Sequence, residues 1–209
     1  MLSLQRLLGE DDRFLSLLEA SALDAFQSVA ALKALLKHDP RAPSLKTFAS
    51  LRQKQKELAG QIEDLLFRAL VVAMEREDIE ALADTLYRIP KTVEKFAERY
   101  TISANQVEDV DFSRQLDLME RGCDKVARMI PGLRSGMSLG EFKQLNADIQ
   151  KIESDADDVM LELLAQLYQP GFPKLKAVIL KDLFELNEKV VDRCRDAGNV
   201  IVRVALRNS

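Results

Sequence analysis

Leu180-Lys-Asp-Leu-Phe-Glu-Leu-Asn-Glu-Lys-Val-Val-Asp-Arg-Cys-Arg-Asp-Ala-Gly-Asn-Val-Ile201 reads as one helix with two unlike faces. Leu180, Leu183, Phe184, Leu186, Val190, Val191, Cys194, Ala197 and Ile201 recur at the three- and four-residue intervals of an amphipathic helix. Broadly opposite them stand Glu185, Glu188, Asp192 and Asp196, which at about 100° per residue fall within an arc of roughly 80°. From Glu188 to Asp196 no base falls inside the arc, Lys189 standing at its edge. An acid stripe opposite an apolar centre is what a solvent face looks like. Like charges four residues apart nevertheless repel, and a bound cation would remove that repulsion.

The same period runs through the rest of the chain. Phe14, Leu17, Leu18, Ala22, Ala25, Val29, Leu32 and Leu36 mark a first helix, roughly residues 11–37, ended by His38-Asp-Pro40. Ser44 is a candidate N-cap for a second helix to about Met74, with Leu45, Phe48, Leu51, Leu58, Ile62, Leu65 and Leu66 on its apolar face. A third starts near Glu77 and carries Ile79, Leu82, Leu86, Ile89, Val93 and Phe96, with Pro90 inside it. Residues 101–110 are polar and unpatterned, and are expected to link two halves. The fourth helix, with Phe112, Leu116, Met119, Cys123, Val126 and Ile130, is expected to stop at Pro131-Gly132. Ser138-Leu-Gly-Glu141 has capping-box spacing and opens a fifth helix to about Tyr168. After Pro170-Gly-Phe-Pro173 comes the sixth helix, to near Arg207.

Alternation of strand type is absent and glycine is scarce, at eight residues. The expected fold is all-α: two tandem antiparallel three-helix bundles, residues 1–104 and 105–209, in one compact unit. Helices of about 30 residues would run about 45 Å, which suits short connections.

Acids and bases, 34 against 30, leave a net charge of −4, which supplies no basic excess for nucleic acid. Cys123 and Cys194 lie far apart in sequence, so two free thiols in a reducing compartment are expected. The first dozen residues turn acidic after a short apolar run, unlike a signal peptide, and no stretch is expected to supply the roughly 20 apolar residues of a membrane span. A cytoplasmic protein follows, with any membrane role coming through a partner.

On the fifth helix Leu145, Ile149, Ile152, Ala156, Val159, Met160 and Leu163 form the apolar stripe, and Asp148, Asp155, Asp158 and Glu162 are expected to face solvent. Glu153 and Asp157 lie one turn apart on the flank of the stripe, within reach of a neighbouring helix. Carboxylates arriving from two helices suit a hard or borderline cation: iron in an oxygen-rich site, Mg, Mn or Ca. The single histidine, His38, is distant in sequence and is read as a helix-end or loop residue. Its isolation argues against a di-iron oxidase, which needs Glu-x-x-His on two helices. No Gly-rich phosphate loop or nucleophile–base pair with a third member is present, so no enzyme is expected.

Arg13-Phe-Leu-Ser-Leu-Leu-Glu-Ala-Ser-Ala22, Arg76-Glu-Asp-Ile79, Ile152-Glu-Ser-Asp-Ala-Asp157 and Asp192-Arg-Cys-Arg-Asp-Ala-Gly-Asn199, in that order, resemble the PhoU-like phosphate transport regulators associated with Pit-type phosphate permeases. The resemblance spans nearly the whole chain, though none of the four stretches is a catalytic signature. It implies tandem three-helix bundles and an acidic E/D-x-x-x-D motif that, in some members, holds iron or other metals at the surface. Carried across, the motif matches Glu153 with Asp157, Glu188 with Asp192, and Asp192 with Asp196; Glu185 lies on the same face. With the halves aligned as repeats, Lys56 and Gly60 stand opposite Glu153 and Asp157, and Tyr87, Lys91 and Lys95 stand opposite Glu188, Asp192 and Asp196. A metal site is therefore expected only in the C-terminal half. The three lysines would be a drifted solvent face or a patch for an anion or acidic helix.

The resemblance implies a non-enzymatic regulator or accessory of phosphate transport that docks on a permease or signalling protein. Two other readings stand beside it: a metal-dependent carboxylate bundle with redox or hydrolytic activity, and a ligand-free helical scaffold. An exposed apolar face on either bundle would imply a homodimer.

Overall fold

The structure, a computed structural model, describes residues 4–37, 45–69 and 74–208, with side chains from residue 12 onward. The described residues form six helices: α1 (Leu4–Lys37), α2 (Lys46–Arg68), α3 (Arg76–Val107), α4 (Ser113–Ser135), α5 (Leu139–Leu167) and α6 (Lys174–Arg207). No strand occurs among them, as the periodicity predicts.

Within the first half α1 packs on α2 and α3, and within the second α6 packs on α4 and α5. The halves meet through α1 on α4 and α3 on α6, so four helices form the centre while α2 and α5 lie outside on opposite halves. One continuous core, from Phe14 and Leu18 of α1 to Ile201 and Val204 of α6, runs through both sets of three. Phe112, in the turn between the halves, anchors this joint. Its ring stands edge-on to Phe96 at 5.6 Å, Tyr100 at 6.3 Å and Phe184 at 6.0 Å. Such pairs contribute about 0.5–1.5 kcal/mol each beyond burial of their area.

Four boundaries differ from the sequence expectation. The third helix continues through residues 101–107, so the expected division between 104 and 105 falls inside α3. Ala97, Tyr100, Ala104 and Val107 keep the buried spacing there. Thr101 and Ser103 donate their hydroxyls to the carbonyls of Ala97 and Arg99, hiding their polarity inside the helix. α4 runs through Pro131 and ends at Gly136, whose φ of +74° is the left-handed conformation glycine adopts without a Cβ penalty. α2 stops at Arg68, short of Met74, where Ala69 turns extended and the Arg76 guanidinium donates to the carbonyls of Leu66 and Ala69. α1 starts earlier than expected, at Leu4. His38 and the candidate cap Ser44 lie outside the described residues.

The segment Asp12–Lys37 is, by length and composition, apolar enough to cross a membrane, which corrects the expectation that no stretch qualifies. Its apolar side chains Phe14, Leu18, Ala22, Ala25, Val29 and Leu32 are nevertheless buried in the core. Asp24 is buried among them and pairs with Lys54 of α2 at 3.3 Å. That is the pattern of a central helix.

Candidate functional site

The register of α5 is set at its start. Glu141 N–H donates to Ser138 Oγ at 3.3 Å, and Ser138 N–H donates to Glu141 Oε2 at 3.0 Å, completing the expected capping box. From that start, Ile149, Ile152, Ala156 and Val159 are buried, and α5 packs on α6. This packing carries Glu153 to the acid stripe of α6.

The six expected residues divide into three kinds. Glu153, Asp192 and Asp196 are joined by Arg195, whose guanidinium donates to Glu153 Oε1 across the helix pair and to Asp196 Oδ1 at 3.2 Å, and ion-pairs with Asp192 Oδ1 one turn back. Asp196 is also held by Arg193 at 3.2 Å. Glu185 is taken by Lys181 on its own helix, away from this cluster. Asp157 and Glu188 have no ion pair among the described residues.

Glu188 borders a small, mostly apolar cavity that Gln115, Phe184, Asn187 and Val191 also line. Burial, then the charges of Asp192, Asp157 and, more weakly, Glu153, raise its carboxyl above the ordinary range, and Lys189 opposes the shift. Those couplings show that acids from both helices share one electrostatic neighbourhood. For Arg195, burial alone would lower the pKa; the bond to Asp196 and the charges of Asp192 and Glu153 outweigh it and raise the guanidinium further.

Sequence reasoning thus assembled the acids but missed their counter-ion. By the same helical count Arg195 sits about 20° outside the arc at the Glu188 edge. Its long side chain folds back toward the preceding turn and covers the arc. The signal was present as the Asp192–Arg195 spacing of three, a known ion-pair interval. Three acids assigned to solvent also have partners: Asp148 binds Lys125 of α4 at 2.7 Å, Glu162 binds Arg114 of α4 at 2.5 Å, and Asp155 binds Lys151 of its own helix at 3.2 Å.

An all-carboxylate donor set has the right chemistry for a hard cation. Its geometry here does not fit one. Arg195 is bonded to three of the carboxylates a metal would use, and no three His, Cys, Asp or Glu side chains among the described residues are placed to hold an ion together. The cluster is a salt-bridged tie between α5 and α6.

In the first half, Lys91 lies over the Tyr87 ring at 5.5 Å. Lys56 borders a groove of about 560 Å³ that also contains Glu63, Glu80 and Asp84, so that groove is of mixed charge. A second groove, of about 570 Å³, lies near the joint between Lys33, Tyr100 and Asp117. Ser113 within it donates to Asp111 at 2.8 Å, an arrangement that shapes the turn before α4. Among the described residues, neither groove pairs a nucleophile with a histidine base.

No protein-family model matches the sequence. A solved PhoU-like protein from Shewanella oneidensis shares the fold, with a TM-score of 0.63 and 15% identity, over 92% of this chain and 99% of that one. Six helices in two sets of three define the class by fold, an all-α bundle that this chain shares with that PhoU-like protein. Within that class it is similar to the "Putative pit accessory protein" of Rhizobium meliloti, 24% identical over 208 residues, spanning 98% of this chain and 97% of the relative. It is also similar to "UPF0111 protein YkaA" of Bacillus subtilis, 22% identical over 147 residues, 69% of this chain and 70% of the relative.

Proposed function

We propose that this protein is a non-enzymatic accessory of inorganic phosphate transport that acts by docking onto a Pit-type permease. The observation that carries the reading is the end-to-end similarity to the R. meliloti protein named as a pit accessory, at 24% identity. The helical framework supports it, since long helices with mixed-charge faces present wide surfaces to a partner. The acid cluster has a structural part in this reading: it fixes α5 against α6 and keeps that face in one shape.

Vesicles containing a purified Pit-type permease, with and without this protein on the accessible face, provide the test. The expected result is a saturable change in the rate of labelled phosphate uptake that a scrambled helical control does not produce. An unchanged rate at saturating protein would overturn the proposal.

A further inference from the structure

Cys123 and Cys194 are 71 residues apart in the chain, yet α4 and α6 bring their sulfurs to 3.5 Å, both side chains being buried. The neighbouring Gly122 explains the approach. A Cβ at that position would lie 3.3 Å from Cys194 Cβ, closer than helices comfortably pack, so its absence lets α4 lie directly against α6 here. A disulfide needs its sulfurs about 2.0 Å apart, about 1.5 Å closer than they stand here.

We propose that Cys123 and Cys194 form an oxidation site that closes to an intramolecular disulfide between α4 and α6. With a hydroperoxide as oxidant the step balances. One sulfur, as its thiolate, attacks the peroxide oxygen and becomes a sulfenic acid, breaking the O–O bond and releasing one water after proton transfer. The second sulfur then displaces the sulfenic oxygen, forming S–S and releasing a second water. Two thiols and one hydrogen peroxide thus give one disulfide and two waters; both sulfurs are oxidised and the peroxide is reduced. With the resolving sulfur already in contact, the sulfenic acid has an intramolecular partner before any other thiol reaches it.

The hydrogen bond with Cys123, followed by burial, pushes the Cys194 thiol well above its ordinary range. The thiolate is scarce, so the site responds to sustained oxidant and not to a brief pulse. Arg195, the centre of the acid cluster, is the next residue along α6. The staple would therefore fix the helix that carries both features. This inference does not depend on the transport reading.

The full chain is treated with hydrogen peroxide without denaturant, then unfolded in N-ethylmaleimide and weighed intact. The expected product has lost 2 Da, carries no maleimide, regains both thiols after dithiothreitol, and yields a crosslinked peptide pair containing positions 123 and 194. Its thermal midpoint rises by roughly 5 °C or more over the reduced protein, as expected for a bridge closing a long loop. Cys194→Ser should form no internal crosslink. Two maleimides on the oxidised wild-type chain, oxygen adducts without a crosslink, or bridges only between molecules would each overturn the proposal.

Discussion

Replacing Arg195 by Gln keeps most of the side chain's length but removes the charge that Glu153, Asp192 and Asp196 share. Breaking a fully buried ion pair costs about 3–5 kcal/mol, because the surviving charge is left uncompensated. Here the three acid side chains are 19%, 21% and 35% exposed, so water screens part of the loss. About half of the buried figure, roughly 1.5–2.5 kcal/mol, is expected, which for a chain of this size lowers the midpoint by about 3–10 °C. Thermal unfolding at low salt and neutral pH measures it. The deficit should shrink with added salt, which screens the repelling acids, and Arg195→Lys should recover only part of it, since Lys lacks the planar fork that reaches several carboxylates. A midpoint within 1 °C of wild type at low salt would refute the idea that Arg195 holds the cluster. Manganese or magnesium offers a second readout: wild type should be indifferent to either ion and to chelator, whereas Arg195→Gln should be partly restabilised by divalent ion.

Other substitutions test other parts of the account. Ser138→Ala removes the α5 cap and should cost about 1 kcal/mol in urea unfolding. Phe112→Ala at the joint between halves should cost about 3–5 kcal/mol, seen as an early loss of cooperative unfolding in a denaturant series. Glu188→Gln relieves repulsion by Asp192 four residues away and should stabilise by about 0.2–0.5 kcal/mol at neutral pH. Because the Glu188 pKa is raised on folding, wild type gains that increment by itself as pH falls through the raised value, so the difference from the variant should vanish in acid. Asp148 behaves with the opposite sign. Hydrogen bonds from Lys125, then Gln144, hold its carboxyl below the ordinary range, so its contribution is present above a pH of about 4 and is lost as pH falls through the folded value. Asp148→Asn should therefore be destabilised by less than about 1 kcal/mol at neutral pH and equal wild type in strong acid.

The helices were legible because each buries one stripe, and spacing reports a stripe directly. Their ends were less so. Residues 101–107 look unpatterned because Thr101 and Ser103 supply polar side chains that the helix itself absorbs, and Pro131 reads as a stop although Gly136 ends the helix. The capping box at Ser138 was readable because both partners are local in sequence. The acid cluster was half legible. Periodicity placed Glu153 on a flank within reach of a neighbouring helix, but a wheel that assigns each residue one angle cannot show Arg195 reaching across its own turn. The contact between Cys123 and Cys194 was illegible for a different reason: it depends on how closely α4 and α6 approach, which Gly122 decides and no spacing rule reports.

The proposed function turns on this chain holding a phosphate permease. Affinity capture of the tagged full-length protein from detergent-solubilised membranes of its own source cells, quantified by mass spectrometry against an untagged control, tests that most directly. Strong enrichment of a Pit-type permease is expected; capture with no enrichment, from membranes in which that permease is plainly detected, would contradict the docking role.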